Sequence, residues 1–142
     1  MNGVIRVAVC HLLHDGNGKY AVHWRTAACR DEHERWDIGG GGLKFGEKIE
    51  DALHRELKEE YSATPVKFEF MGWRDVFRMQ EGKDTHWITF DFIVQVDPKE
   101  VALGEPHKAR DLRWVTLDEL MTLQPIHSQM RPFLDKNRAF LK

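Results

Sequence analysis

The chain has 142 residues and a formal net charge of −2, with 21 Lys and Arg against 23 Asp and Glu. That balance, without a basic tail, argues against a nucleic-acid polymer as the main ligand, and no run approaches the roughly 20 apolar residues of a membrane-spanning helix. Hydrophobic residues make up 42% and charged residues 31%, the mix of one soluble globular domain over residues 1–142.

Residues 4–13, rich in β-branched and apolar types, predict a first strand. Asp15-Gly16-Asn17-Gly18 is a turn signal, and residues 19–25 return beside it as a second strand ending on Arg25. Residues 26–35 are polar and without periodicity, a loop beside whatever site follows. Trp36-Asp37-Ile38 predicts a short strand, and Gly39 to Gly42 a flexible glycine loop that brings bare backbone close to a ligand. Pro65 marks a break after a helix. Residues 66–79 predict a long strand, or two, with an irregularity near Gly72.

Residues 80–84 read as a turn, and residues 85–96 alternate cleanly. His86, Ile88, Phe90, Phe92, Val94 and Val96 share one face, with Trp87, Thr89, Asp91, Ile93 and Gln95 on the other. His86 and Trp87, at the start of this strand, suit base stacking and polar contact with a ligand, or simple rim packing. A connection over 97–104 leads to Glu105 and Asp111, then to a Trp114-containing strand and a Leu117-Asp118-Glu119-Leu120 turn. Ile126, Met130, Phe133, Leu134 and Leu141 predict an amphipathic C-terminal helix over about 127–140, with Pro132 a kink or a first-turn residue. That helix covers the sheet or a partner subunit, which leaves room for a homodimer. Cys10 and Cys29 lack metal-type spacing, and no leader precedes the first strand, so a reduced, cytoplasmic protein is expected.

The densest chemistry lies in residues 36–63. Ile49, Ala52, Leu53 and Leu57 recur at helical spacing, with Gly46 as the expected N-cap and Glu47, Glu50 and Asp51 in the first turn. Glu56, Glu59 and Glu60 stand at i, i+3 and i+4, so their carboxylates share one side of the last turns. Like charges there oppose each other and the helix dipole, each at a few tenths of a kcal/mol, roughly. A hard cation such as Mg²⁺ or Mn²⁺ offsets both penalties. Taken alone, the three fit a solvated acidic face as well. Arg55, one turn before Glu59, is placed to orient that carboxylate.

Gly41, five residues, Glu47, seven residues, Arg55-Glu56-Leu57, one residue, Glu59-Glu60: this pattern resembles the Nudix box of the Nudix (MutT-like) hydrolases. A chance match of that length is on the order of a few in a million. Three positions depart from it. Ser62 stands where the box has glycine, Ala63 where it has a bulkier aliphatic residue, and Gly39 where proline is usual.

The resemblance implies an α+β fold, a Nudix-type α/β/α sandwich with a mixed β-sheet between helices. It implies Mg²⁺-dependent (Mn²⁺ as substitute) hydrolysis of a pyrophosphate bond in a nucleoside diphosphate linked to another group. Residues 42–47, the His86-Trp87 pair and the Glu105-Pro106 loop look similar to the nucleoside triphosphate branch. A GDP-sugar type hydrolase and a non-catalytic nucleotide-sensing module are the alternatives. The metal shell it implies is Glu56, Glu59 and Glu60, a carbonyl of Gly40 or Gly41, and a loop acid, Glu105 ahead of Asp111. Glu56 or Glu59 serves as general base, Arg55 as orienter and Glu47 as accessory ligand. Arg25 faces the substrate phosphates, with Gly41, His86 and Trp87 around the nucleotide.

Overall fold

The computed structural model describes residues 3–142; Met1 and Asn2, on which the expected lack of a leader partly rests, lie outside the described residues. Seven strands form one sheet in which β1 (Ile5–His14) is central. Along one edge β1 pairs in parallel with β6 (Lys83–Gln95), from Ile5 opposite His86 to His14 opposite Gln95. Along its other edge two strands lie end to end, both antiparallel. β4 (Gly39–Gly42) takes Ala8 to His11, and β2 (Lys19–Arg25) joins at His14. β2 in turn pairs with β3 (Trp36–Asp37) and with β7 (Ala109–Thr116). β5 (Lys67–Gln80) closes the far edge against β6. One parallel pair among antiparallel ones makes the sheet mixed.

Alternation sorts side chains onto two faces. Val9 and Leu13 of β1 and Phe92 and Val94 of β6 meet the apolar stripe of α1 (Ile49–Tyr61), where Ala52, Leu53, Leu57 and Tyr61 are buried. Leu12 and Ile93 face the other way, onto Leu120 of α2 (Leu117–Thr122) and Met130, Phe133 and Leu134 of α3 (Met130–Lys136). The result is the α/β/α sandwich expected. Asp91, on the second face and wholly buried, takes two bonds from Arg74 at 2.7 and 2.9 Å, one from Lys136 Nζ at 3.2 Å and one from Asn137 Nδ2 at 3.1 Å.

Several expectations change. Gly39 to Gly42 form a strand, not a loop, because β1 offers an open ladder edge there. Gly46 is not the N-cap. It sits at φ +82° in the turn before the helix, and Lys48 is the boundary residue, which leaves Glu47 ahead of α1. Ser62 caps the C-terminus at φ 55°, donating its N–H to the Lys58 carbonyl, so it supplies the left-handed exit that glycine would give.

Residues 67–80 are one strand with a bulge at Gly72. Residues 117–122 are a helix rather than a turn. Thr116 and Glu119 make a capping box, each side chain taking the other's backbone N–H. The C-terminal helix is shorter than expected, with Pro132 in its first turn. Residues 126 and 127 are pinned to Trp36, whose carbonyl accepts the His127 N–H. At the other end Asn137 turns its side chain inward to Asp91, and a 3-10 turn (Arg138–Phe140) follows.

Candidate active site

β4 and the last turns of α1 meet face on. A Cβ at Gly41 would overlap the Glu56 carboxylate, so glycine here permits the helix to approach. Gly40 donates its N–H to Glu60 Oε1 at 3.0 Å. Glu60 is thereby held against the strand. Burial, and the charge of Glu56 beside it, push its carboxyl well above the usual range, against the pull of the Gly40 N–H.

Arg55 organises the remaining acids. It grips Glu47 with two bonds at 2.7 and 3.0 Å, Glu56 at 2.6 Å and the Gly42 carbonyl at 3.0 Å. Its contact with Glu59 is the longest, at 3.4 Å, and Glu59 is also the most exposed of the four. The Arg55 guanidinium and the Lys44 N–H hold the Glu47 carboxyl down at about 2, and in exchange Glu47 and Glu56 raise the pKa of Arg55. Glu47 thus reaches the site from outside the helix, through the arginine.

The cleft over these acids, about 320 Å³, is bordered by Gly40, Glu56, Glu59, Glu60 and, across it, Glu105. Glu105 is delivered by its neighbour. Gly104 packs on the end of α1 and donates to the Glu60 carbonyl at 2.9 Å, and a Cβ there would strike the Glu59 carbonyl. Asp111, the other expected loop acid, stands apart from the cleft at φ 54°, paired with Arg110. His23, which the sequence reading passed over, also borders the cleft, its Nδ1 2.6 Å from the Tyr61 hydroxyl.

Gly40 also borders a second cavity of about 240 Å³, on the α3 side of the sheet. Trp87, Arg74, Arg78, Gln80 and Phe133 line it. Strand alternation separates the expected His86-Trp87 pair. Trp87 faces this cavity, whereas His86 lies on the opposite face, 2.9 Å from Asp75 and tilted against Phe77 with ring centroids 4.5 Å apart. Arg25 borders the cavity too, but its donors are engaged. Asp37 takes one at 3.1 Å, the Asp31 side chain one at 3.2 Å, and the Asp31 and Glu32 carbonyls one each, so four of its five N–H groups are committed. Arg74 and Arg78 were missed as cavity residues. The signal was their shared parity with Val76 and Gln80 along β5, which the bulge at Gly72 resets relative to Phe70.

Among the described residues, no three His, Cys, Asp or Glu side chains stand in a ready-made metal cluster. The donor chemistry nonetheless fits a hard divalent cation. Two carboxylates, Glu56 and Glu60, share a confined space, and among the described residues the only positive charge hydrogen-bonded to Glu47, Glu56 and Glu59 is the Arg55 guanidinium.

The NUDIX domain model matches residues 4–136. The chain belongs to that family, and it is a pyrophosphohydrolase. The nucleoside triphosphatase NudI of Escherichia coli O17:K52:H18 is 28% identical over 131 residues, covering 82% of this chain and 85% of that protein. NudI of Salmonella agona is 27% identical over 125 residues, covering 81% and 84%. The MutT NUDIX hydrolase of Burkholderia pseudomallei has the same fold, with a TM-score of 0.79 at 23% identity over 94% of this chain and 98% of that one. So does the NUDIX domain of Shewanella oneidensis NrtR, solved with ADP ribose, at a TM-score of 0.76 and 16% identity over 98% and 90%.

Proposed function

We propose that the chain hydrolyses the pyrophosphate link of a nucleoside triphosphate with Mg²⁺, which Mn²⁺ can replace. The observation that carries this reading is the cleft that gathers Glu56, Glu59, Glu60 and Glu105 beside Gly40, a residue that also borders the Trp87 cavity. One compartment suits polyphosphate and the other a base. Similarity to the NudI triphosphatases supports the triphosphate branch.

Glu56, Glu59, Glu60, Glu105 and the backbone at Gly40 would hold the cation. Bound there, it would neutralise phosphate charge and lower the pKa of a water. The protein's own share is positioning. Arg55 keeps Glu47, Glu56 and Glu59 in one row, so no acid has to be gathered when substrate arrives. Glu59, most exposed and least restrained, is the acid free to take a proton from the attacking water. That water forms a bond to phosphorus as the bridging P–O bond breaks, and the leaving phosphate carries away the electron pair. Trp87 offers a face for the base, in a cavity framed by Arg74, paired with Asp91, and Arg78, paired with Asp31 and Glu32. Two free cysteines, Cys10 and Cys29, fit a cytoplasmic setting.

The test is a panel of nucleoside triphosphates, GDP-sugars, dinucleoside polyphosphates and ADP-ribose, with Mg²⁺, read by product mass. Pyrophosphate or phosphate release from a triphosphate is expected, with kcat lowered by orders of magnitude in Glu59→Gln and the circular-dichroism spectrum unchanged. Fastest turnover of a GDP-sugar transfers the assignment to that branch. Binding without turnover of any compound makes the chain a nucleotide sensor.

A further inference from the structure

The sheet face that carries α1 is only half covered. α1 packs on Val9, Leu13, Phe92 and Val94. The same face continues beyond the helix, across three hydrogen-bonded strands. Ile5 lies opposite His86, His86 opposite Phe77, Ile88 opposite Asp75, Phe90 opposite Trp73, and Asp84 opposite Met79. Its large apolar members stand in solvent: Ile5 is 58% exposed, Phe70 49%, Trp73 55%, Phe77 69% and Met79 70%.

A contiguous apolar surface of this kind is what a monomer's surface ordinarily avoids. Of its polar groups, His86 and Asp75 already satisfy each other at 2.9 Å, and Asp84 lies at its exposed end beside the β5–β6 turn. Covering the His86–Asp75 pair therefore leaves neither of those two side chains without a partner.

We propose that this uncovered half of the sheet is where a second copy of the chain docks, face to face about a twofold axis. Three arguments select a second copy. The exposed side chains offer roughly 600 Å² of apolar area, and a stable dimer buries about 800 Å² per partner, about two-thirds of it apolar in homodimers. A twofold sets the patch against itself, so apolar meets apolar with no separately evolved counterpart. A twisted sheet also stacks on another sheet at about 10 Å with interdigitated side chains, which suits the alternating Trp73, Phe77 and Met79. The named face carries no Lys or Arg, so it lacks the charges that draw a protein onto an anionic lipid surface.

Light scattering on the full chain tests this. Wild type is expected at twice the chain mass at micromolar concentration. Phe77→Arg and Met79→Lys are each expected to give the monomer, with the circular-dichroism spectrum intact and kcat on the best nucleotide within twofold of wild type. Should either variant fail to fold, amide exchange in wild-type β5 and β6 replaces it, and slowing with rising protein concentration is the supporting result. A wild type that stays monomeric at high micromolar concentration overturns the proposal, as does a dimer indifferent to both substitutions. A monomer that floats with phosphatidylglycerol vesicles overturns it as well and gives the face to lipid.

Discussion

Gly41 and Glu56 are separated by less than a methyl group needs: a side chain on the glycine would occupy the space of the carboxylate. The box spacing is therefore a statement about distance between a strand and a helix. Glycine at one end allows the acid at the other to reach the backbone.

Gly41→Ala should for this reason damage chemistry more than fold. The added methyl displaces Glu56, and misplacement by about 1 Å costs on the order of a hundredfold in rate. Steady-state kinetics with Mg²⁺ should show kcat/KM lowered by about that factor while β4 stays paired. Wild-type kinetics would mean that the contact has no bearing on catalysis.

Trp87 and His86 are adjacent in sequence and on opposite faces of β6. Trp87→Ala should raise KM by about tenfold or more, because base–aromatic stacking is worth about 1–3 kcal/mol. His86→Ala should leave KM within about twofold. The reverse ranking would move the base off the α3 side of the sheet.

Asp91 is wholly buried and bonds Arg74, Lys136 and Asn137. Asp91→Ala strands a guanidinium and an ammonium near the core, which costs about 3–5 kcal/mol. Urea unfolding should record that loss. A change below about 1 kcal/mol would show the network to be dispensable.

His11 is wholly buried, and among the described residues neither ring nitrogen has a hydrogen-bond partner, the Glu60 carboxylate standing 3.9 Å from Nε2. Burial, with His23 nearby, lowers its pKa to about 3. The sign follows: the unfolded chain takes a proton on His11 below about 6.5, whereas the folded chain refuses it until about 3. Stability is full above 6.5 and drains as pH falls through that window, by up to about 1.4 kcal/mol per unit. His11→Leu removes the liability. The gap between variant and wild type in urea should widen in the variant's favour from pH 7 to pH 5. A constant gap would mean that His11 protonates in the folded state.

The carboxylate row was legible because one helix carries it. Three carboxylates at i, i+3 and i+4, with an arginine a turn earlier, need only helical geometry to converge. Glu47 was legible by spacing, but its route through Arg55 was not, since that depends on where α1 begins. The strand character of Gly39 to Gly42 was hidden because glycines carry no alternation, and only the open edge of β1 reveals it. Arg25 looked free in sequence because its partners Asp31 and Asp37 lie six and twelve residues on, across a loop without periodicity. Glu105 was preferred to Asp111 only by resemblance, and the physical reason that it borders the cleft, Gly104 packed against the end of α1, depends on tertiary structure.

The parallel pairing of β1 with β6 has a consequence for biosynthesis. Ile5 leaves the ribosome some eighty residues before the His86 it must lie beside. For that interval the central strand, with Val9, Leu12 and Leu13 along it, waits with one ladder edge unfilled. β4 and α1 emerge sooner and can shelter part of it. Closure on β6 is then the late, long-range step, and the nascent chain is most exposed to misassociation just before it.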